Sequence, residues 1–222
     1  EKIVQSAVDN FGKLDIVVTC AGILRDRMIF NMSEEEWDDV IAVHLKGTFT
    51  VVKNASILFR QQRSGRIINT SSSSGLGNAG QTNYAAAKEG IVGITRTVAR
   101  DLGRYGVTCN ALRPGAATRL VVSPEMEAAR KAAIERGETR GTPGGEMDPD
   151  AIGPLVAYLA SDEAQNVNGR DFMIRAGAIG LYTIPTIEAQ AFSAAAGWTN
   201  EDMFEVFPKT LGRLLKNEFE GR

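Results

Sequence analysis

Short apolar segments rich in branched residues alternate with amphipathic helical segments along most of this chain. The segments typical of strands are residues 14–19, 66–70, 107–112 and 171–174. The first contains three consecutive branched residues, Ile16, Val17 and Val18, which predicts burial on both faces of a sheet covered by helices. Strands and helices that alternate at this interval form βαβ crossovers, so the sequence predicts an α/β fold with a doubly wound parallel sheet.

Amphipathic helices are predicted between the strands, because apolar residues recur there at spacings of three and four. The predicted helices cover residues 2–11, about 33–60, about 84–105, about 150–161 and 200–207. Ser33 and Glu36 form a capping box at the start of the second helix. Pro114 and Gly115 are predicted to stop the third strand, and Pro208 the last helix.

Length and composition fit one globular domain and exclude several partners. The 222 residues are 43% hydrophobic and long enough to bury a core. Twenty-five Lys and Arg against 27 Asp and Glu give a net charge of −2, so nucleic acid is not an expected partner. No uncharged apolar run reaches the roughly 18 residues that a membrane span needs, so we expect no membrane partner either.

The only two cysteines, Cys20 and Cys109, stand far apart and outside any Cys/His cluster. This spacing predicts neither a disulfide framework nor a metal site. It favours a reducing compartment, and we therefore expect a cytoplasmic protein.

Tyr84 and Lys88 are four residues apart and therefore share one face of a predicted helix. An ammonium held close to a phenol favours the ionised phenol and lowers its pKa from about 10. Such a tyrosine can take a proton from an alcohol or return one to a carbonyl oxygen. The same spacing also fits a surface ion–dipole pair, so the neighbouring residues decide between the two interpretations.

Ser72 lies twelve residues before Tyr84, at the carboxyl end of a predicted strand. Open α/β sheets bind their ligands at this end of the strands, so the Ser72 hydroxyl can donate to the same substrate oxygen. A serine within the run 71–74, beside several glycines, also fits an ordinary turn.

These residues, in this order, resemble the motifs of the short-chain dehydrogenase/reductase family. The motifs are Ala21-Gly22 after a strand, Ser72, Tyr84-x-x-x-Lys88 and Pro114-Gly115. Residues 80–90 are especially similar to the family, and the resemblance covers residues 1 to about 177. It implies an oxidoreductase that uses NAD or NADP.

The resemblance also implies a role for each matching residue. Ser72 and Tyr84 would hold and protonate the substrate carbonyl. Lys88 would lower the pKa of Tyr84 and bind the nicotinamide ribose. The cofactor pocket would be formed by Ala21, Gly22, Tyr84, Lys88, Pro114, Gly115 and Thr118.

Residues 22–27, 42–49 and 114–119 are similar to the hydroxyacyl-CoA dehydrogenases of peroxisomal multifunctional enzymes and their bacterial relatives, a group that includes enzymes acting on steroid alcohols. This similarity implies a 3-hydroxyacyl thioester, such as an acyl-CoA, as the leading substrate class. Related enzymes pair the helices that begin here near Glu34 and Tyr84, which implies a homo-oligomer, a tetramer.

Residues 118–150 are polar and rich in Gly, Glu and Arg, a composition typical of a mobile lid, here over the substrate. Its cations are Arg119, Arg130, Lys131, Arg136 and Arg140, and its acids include Glu125, Glu127 and Glu135. These charges either pair with one another on a solvated helix face, or two or three cations meet the phosphates of coenzyme A.

The chain departs from the family pattern at both ends. Three N-terminal features of the family are absent: the glycine-rich phosphate turn, the strand with the ribose-binding acid and a third strand. We therefore interpret residues 1–222 as one domain that lacks roughly eighty N-terminal residues. Without them, the strand at 14–19 would be a bare apolar edge. Residues 178–222 extend past a minimal family member as a helical extension, which covers the pocket, forms an oligomer contact or simply docks.

Three positions leave alternatives open. His44 stands where the family has its fourth catalytic residue, an asparagine, and the imidazole either holds a water of the proton relay from Lys88 or is structural. Ser72 is one residue closer to Tyr84 than is usual, so Ser71 remains a candidate for its role. Cys20, within Thr19-Cys20-Ala21-Gly22, is predicted to be a small buried filler.

Two functions from different classes therefore compete. The first is an NAD- or NADP-dependent oxidoreductase acting on a secondary alcohol or ketone. The second is a catalytically silent subunit of the same fold that binds partners through its long helices. The Ser72, Tyr84 and Lys88 set favours the first, and the absent cofactor turn favours the second.

Overall fold

The computed structural model describes residues 1–116, 118, 148–193 and 197–216. It divides the chain into two compact units, Glu1–Tyr182 and Thr183–Arg222. Most of the predicted lid lies outside the described residues, and so do its five cations. Both interpretations of those cations stay predictions.

A five-stranded sheet forms the centre of the first unit, as the alternation of segments predicted. Its strands are β1 (Ile16–Thr19), β2 (Gly65–Thr70), β3 (Val107–Gly115), β4 (Asp171–Arg175) and β5 (Ala178–Leu181). They lie side by side in this order, and the first four are parallel. β5 returns antiparallel to β4, and Gly177 takes the positive φ of 73° that the connecting turn requires. The sequence interpretation missed β5, and placed its residues in the C-terminal extension.

Six α-helices lie in the five predicted helical segments, because the segment 33–60 contains two of them. They are α1 (Lys2–Phe11), α2 (Glu34–Val40), α3 (Gly47–Gln62), α4 (Thr82–Leu102), α5 (Gly153–Ala160) and α6 (Asn200–Val206). Short 3₁₀ turns occur at Ile29–Asn31, Ser73–Leu76, Gly103–Tyr105, Pro149–Ile152, Asp162–Ala164 and Leu211–Leu214. The predicted capping box is present, since Ser33 Oγ accepts from Glu36 N and Glu36 Oε2 accepts from Ser33 N.

One predicted long helix, residues 33–60, is interrupted by a π-helical turn at Ile41–Lys46. A π turn adds a residue to the helix and rotates the side chains that follow it, and such turns often occur at functional sites. Here the turn contains His44, whose side chain is buried.

Apolar residues cover both faces of the sheet. One cluster joins β1, β2 and β3 to α3 and α4, and consists of Val17, Val52, Ala55, Phe59, Ile67, Ala99, Leu102, Val107 and Cys109. The other packs α5 against the sheet, and consists of Ile68, Leu112, Leu155, Leu159, Ala164 and Ile174. Ile67 and Ile68 belong to different clusters because successive side chains of a strand point to opposite faces. This arrangement confirms the α/β class.

The N-terminal edge of the sheet corrects two predictions. In β1 only Val17 is buried, while Ile16 and Val18 are 43% and 44% exposed, which differs from the expected burial on both faces and agrees with the bare apolar edge also expected of this strand. β1 pairs with β2 on one side alone within the described part of the chain. Cys20, which follows β1 at this edge, is exposed and is not a buried filler.

Pro114 does not stop β3, which continues to Gly115. Leu112 accepts from Ser71 N and so faces β2, whereas Ala111 donates to Arg170 O on the side of β4. Pro114, two residues after Leu112, therefore turns its nitrogen toward β2, and because this nitrogen carries no hydrogen, the β2–β3 ladder ends there while β3 stays paired with β4.

The second unit contains α6, which begins at a capping box formed by Thr199 and Asp202. A cavity of about 180 Å³ in this unit is lined by Ala191, Trp198, Met203, Phe207, Thr210 and Leu211. The predicted helix at 200–207 is thus present. Among the described residues of both units, no helix is long and apolar enough to cross a bilayer.

Leu159→Ala tests the packing of α5 against the sheet. Leu159 is 1% exposed, so the truncation leaves a cavity and we expect the free energy of unfolding to fall by about 2–5 kcal/mol. Leu76→Ala is the control, because Leu76 is 62% exposed and its truncation is expected to change stability by less than about 0.5 kcal/mol. Urea unfolding of the full-length protein measures both, and equal losses would contradict this core.

Candidate active site

Most of the predicted site residues meet at the carboxyl edge of the sheet. Ala21 and Gly22 follow β1, Ser72 follows β2, and Pro114 and Gly115 are the last residues of β3. Parallel strands end at the same edge, which is why segments distant in sequence converge there. Ala21 is exposed and Gly22, Pro114 and Gly115 are partly buried, while Thr118 is exposed just beyond β3.

Tyr84 and Lys88 lie in the first turns of α4 and point to the same side of it, with Lys88 Nζ 5.4 Å from the centroid of the Tyr84 ring. Burial raises the pKa of the Tyr84 phenol above its ordinary value. The hydrogen-bonding interaction with Ser72 lowers this pKa, and the charge of Asp26 raises it. The phenol is therefore protonated at neutral pH, and a lowering of its pKa by Lys88 stays a prediction.

Lys88 is 4% exposed, and its ammonium donates a single hydrogen bond of 2.7 Å to Thr70 O within the described part of the chain. Burial lowers the pKa of Lys88 to about 8, against a smaller raising effect of the nearby Cys20. An ammonium has three N–H donors, so two remain available here. Two free donors at the end of parallel strands fit the paired hydroxyls of a nicotinamide ribose.

The two candidate serines have different surroundings. Ser71 is 1% exposed, and its hydroxyl donates to Lys88 O at 2.8 Å, which ties β2 to α4. Ser72 is only partly buried, accepts from Ser74 N at 3.1 Å and interacts with the Tyr84 hydroxyl. Of the two, the structure therefore brings Ser72 to Tyr84.

His44 is buried beside Tyr84, with the ring centroids 5.0 Å apart at 88°. Its Nε2 lies 2.7 Å from the carbonyl oxygen and 3.0 Å from the amide nitrogen of Ile23. Burial is the main cause that lowers the pKa of His44, so the ring is neutral at pH 7. The shorter contact suits an Nε2–H tautomer, which leaves Nδ1 as a buried acceptor without a partner among the described residues.

Gly22 has a packing role that the sequence motif does not reveal. A Cβ at this position would lie 2.4 Å from His44 Cε1, which no side chain tolerates. Glycine at position 22 therefore admits the imidazole to the site.

Asn83 is a site residue that sequence reasoning missed. It is fully buried, and its Nδ2 donates to Arg25 O at 3.0 Å and to Glu36 O at 2.9 Å. Its Oδ1 accepts from Tyr84 N at 2.7 Å and so fixes the first turn of α4. An asparagine at the start of a helix, where its side chain serves backbone N–H groups, was the available signal.

Metal chemistry finds no support in the residues that the structure describes, because no group of three or more His, Cys, Asp or Glu side chains is placed to hold an ion.

Comparison with known proteins gives consistent matches. The sequence model of the family described as enoyl-(acyl carrier protein) reductase matches residues 1–178. The chain is 39% identical to the hydroxyacyl-CoA dehydrogenase ChsB1 of Mycobacterium tuberculosis, over 100% of this chain and 68% of that protein. It is 42% identical to the (3R)-3-hydroxyacyl-CoA dehydrogenase of Mus musculus, over 73% of this chain and 62% of that protein.

Similarity extends to a bacterial reductase and to a solved structure. The 3-oxoacyl-[acyl-carrier-protein] reductase FabG of Staphylococcus aureus is 40% identical over 79% of this chain and 70% of its own length. The crystal structure of a short chain dehydrogenase from Mycobacterium avium superposes with a TM-score of 0.77 at 39% identity, over 95% of this chain and 68% of that one. The chain thus spans 62% to 70% of the length of these proteins.

The buried Lys88 ammonium makes stability depend on pH. Its pKa is about 8 in the folded protein against 10.5 for an ordinary lysine, so between these pH values the unfolded chain binds more protons. The free energy of unfolding of the wild type, relative to Lys88→Met, is therefore expected to rise as the pH increases from 8 to 10.5. Urea unfolding of both proteins across this range measures it, and a constant difference would contradict the burial of a charged Lys88.

Proposed function

The chain belongs to the short-chain dehydrogenase/reductase family, and we propose that it interconverts a secondary alcohol and a ketone with NAD or NADP as cofactor. The observation that carries the proposal is the convergence of Ser72, Tyr84 and Lys88 at the carboxyl edge of the sheet. A 3-hydroxyacyl thioester, such as 3-hydroxyacyl-CoA, is the substrate class, supported by the names of two relatives.

In ketone reduction, Tyr84 gives its phenolic proton to the carbonyl oxygen as this oxygen becomes an alcohol. The raised pKa of Tyr84 supports this direction, because the phenol is protonated at neutral pH. The Ser72 hydroxyl donates to the same oxygen and orients it. In alcohol oxidation the proton returns to Tyr84 along the same path.

The two unused N–H groups of Lys88 would hold the hydroxyls of the nicotinamide ribose. The residues at the same edge of the sheet that would line the rest of the cofactor are Ala21, Gly22, Pro114, Gly115 and Thr118. A bound nicotinamide supplies the two-electron redox chemistry.

His44 takes the place of the family's asparagine in the proton relay. Its neutral ring offers Nδ1 as a buried acceptor, which can hold a water of the relay that leads from Lys88.

A catalytically silent subunit is the alternative, and the burial of Lys88 is an argument against it. A buried ammonium with one hydrogen bond destabilises the fold, and a scaffold gains stability by replacing it. Destabilising groups of this kind are retained where function needs them.

We also propose that the protein is a homo-oligomer, specifically a tetramer, and that it is located in the cytoplasm. Phe49 and Ile57 are each 52% exposed and lie eight residues apart on one face of α3. Trp37 of α2 is 37% exposed. The two cysteines are both free, which supports a reducing compartment.

Tyr84→Phe tests the catalytic proposal. The change removes the proton donor and little volume, so turnover of a 3-oxoacyl-CoA with NADH or NADPH is expected to fall by about 10²- to 10⁴-fold. Tyr158→Phe is the matched control, because Tyr158 is 48% exposed on α5 and away from the site. Steady-state kinetics of the full-length protein measures both, and a Tyr84→Phe rate within twofold of wild type would exclude this role.

Phe49→Arg tests the oligomer. A charge on the apolar face of α3 opposes burial against a second copy, so light scattering is expected to show a tetramer for wild type and a smaller species for the variant. Leu76→Arg, at a residue 62% exposed in the 3₁₀ turn, is expected to leave the mass unchanged. A monomeric wild type at micromolar concentration would contradict the proposal.

A further inference from the structure

Arg113 on β3 is a buried cation close to the site that the proposed chemistry does not use. Its residue exposure is 2%. Nε and Nη2 each lie 2.8 Å from Asp171 Oδ2, and Nη2 also donates to Glu89 Oε2 at 2.8 Å. Nη1 donates to the main-chain carbonyl oxygen of Ser72 at 2.8 Å, and the guanidinium carbon is 4.9 Å from the centroid of the Tyr182 ring.

We propose that Arg113 is a positioning residue, which holds the backbone of Ser72 so that the serine hydroxyl meets the substrate oxygen. The inference rests on the function proposed above. Arg113 itself touches neither Tyr84 nor Lys88 among the described contacts, and Ser72 is the proposed catalytic residue that it contacts directly.

The need for such a residue follows from the end of the β2–β3 ladder. The last main-chain bond there is from Ser71 N to Leu112 O. Pro114 has no N–H to continue the ladder, so the chain leaves the sheet at Ser72. Beyond the ladder, the Ser72 carbonyl accepts from Gly75 N at 3.1 Å within the turn and from Arg113 Nη1 at 2.8 Å, and the bond from Arg113 ties this turn to β3.

The turn that follows Ser72 rests directly on the same charged groups. A Cβ at Gly75 would lie 2.9 Å from Glu89 Oε2 and 3.0 Å from Arg113 Nη1, so a larger residue there would displace these charged groups. The Ser72 hydroxyl also accepts from Ser74 N at 3.1 Å. The turn thus holds Ser72 locally, through Gly75 N at the carbonyl and Ser74 N at the hydroxyl, and Arg113 connects the Ser72 carbonyl to β3.

Stability alone does not explain this cluster. Removing charges from water is costly, and Asp171 Oδ1 is buried without a partner in the described part of the chain. The planar guanidinium nevertheless reaches three acceptors at once, on β4, α4 and the turn after β2. That geometry suits a group that sets the position of one backbone segment relative to the others.

Arg66 provides a matched control at the opposite end of β2. It is 5% exposed, pairs with Asp162 at 2.9 Å, and donates to the carbonyl oxygens of Gly65, Gly106 and Ser161. Arg66 therefore shares the burial, ion pair and carbonyl contacts of Arg113, but it makes no contact with Ser72.

The first measurement compares Arg113→Lys with Arg66→Lys in the full-length protein. A lysine keeps the charge but cannot bond three separate acceptors, so Ser72 loses its fixed position. We expect kcat with a 3-oxoacyl-CoA and NADH or NADPH to fall by about tenfold or more in Arg113→Lys, with KM changed less than about threefold. Arg66→Lys is expected to leave kcat within about twofold of wild type.

A double-mutant cycle separates positioning from a general structural effect. If Arg113 acts through the Ser72 hydroxyl, Arg113→Lys has no further effect on kcat in a Ser72→Ala background. Equal fold-losses in the two backgrounds, or an Arg113→Lys kcat within twofold of wild type, would overturn the inference alone. Full activity of both Tyr84→Phe and Ser72→Ala would overturn the proposed function, and the inference with it.

Thermal unfolding shows whether each variant is folded before its kinetics are compared. If Arg113→Lys does not fold, Arg113→Met combined with Asp171→Asn carries the same test. This pair leaves no buried charge without its counter-charge, since Glu89 is 42% exposed and stays hydrated. We expect the same loss of kcat for this double variant, and no further loss when Ser72→Ala is also present. Additive losses of kcat would overturn the inference.

Discussion

The parallel pairing of β2 between β1 and β3 is the constraint on which the site depends. From Gly65 to Asn69 every residue of β2 is buried, with Ile67 packed on one face of the sheet and Ile68 on the other. A strand held on both faces and both edges has a fixed register, so the residues after its end have fixed positions. Ser71 and Ser72 are those residues, and Ser71 also joins the strand to α4 through Lys88 O.

Burial sets the protonation states at this edge. Lys88 and His44 are buried and Tyr84 is partly buried, and burial shifts the pKa of each toward the value that favours its neutral form. A protonated phenol, a neutral imidazole and a lysine with a pKa of about 8 therefore lie within one small region. Such shifts cost stability and are typical of sites that move protons.

Local irregularities place individual groups within this regular frame. The π-helical turn at Ile41–Lys46 directs His44 inward, and Gly22 leaves the space that its ring fills. Pro114 ends the β2–β3 ladder without ending β3. The adjacent Arg113 binds the carbonyl oxygen of Ser72, the residue at which the chain leaves the sheet. Each irregularity lies at the carboxyl edge of the sheet, where the core packing no longer dictates the backbone.

Periodicity in the sequence determined the alternation of strands and helices and the position of Ser72 after a strand. Spacing determined that Tyr84 and Lys88 share one face of a helix. All three features depend only on local geometry. The sequence could not reveal β5, since four residues that include Gly180 carry no clear strand signal. It also could not reveal that Asn83 fixes Tyr84 or that Arg113 reaches Ser72. Those facts depend on neighbours distant in the chain, so only the tertiary structure decided them.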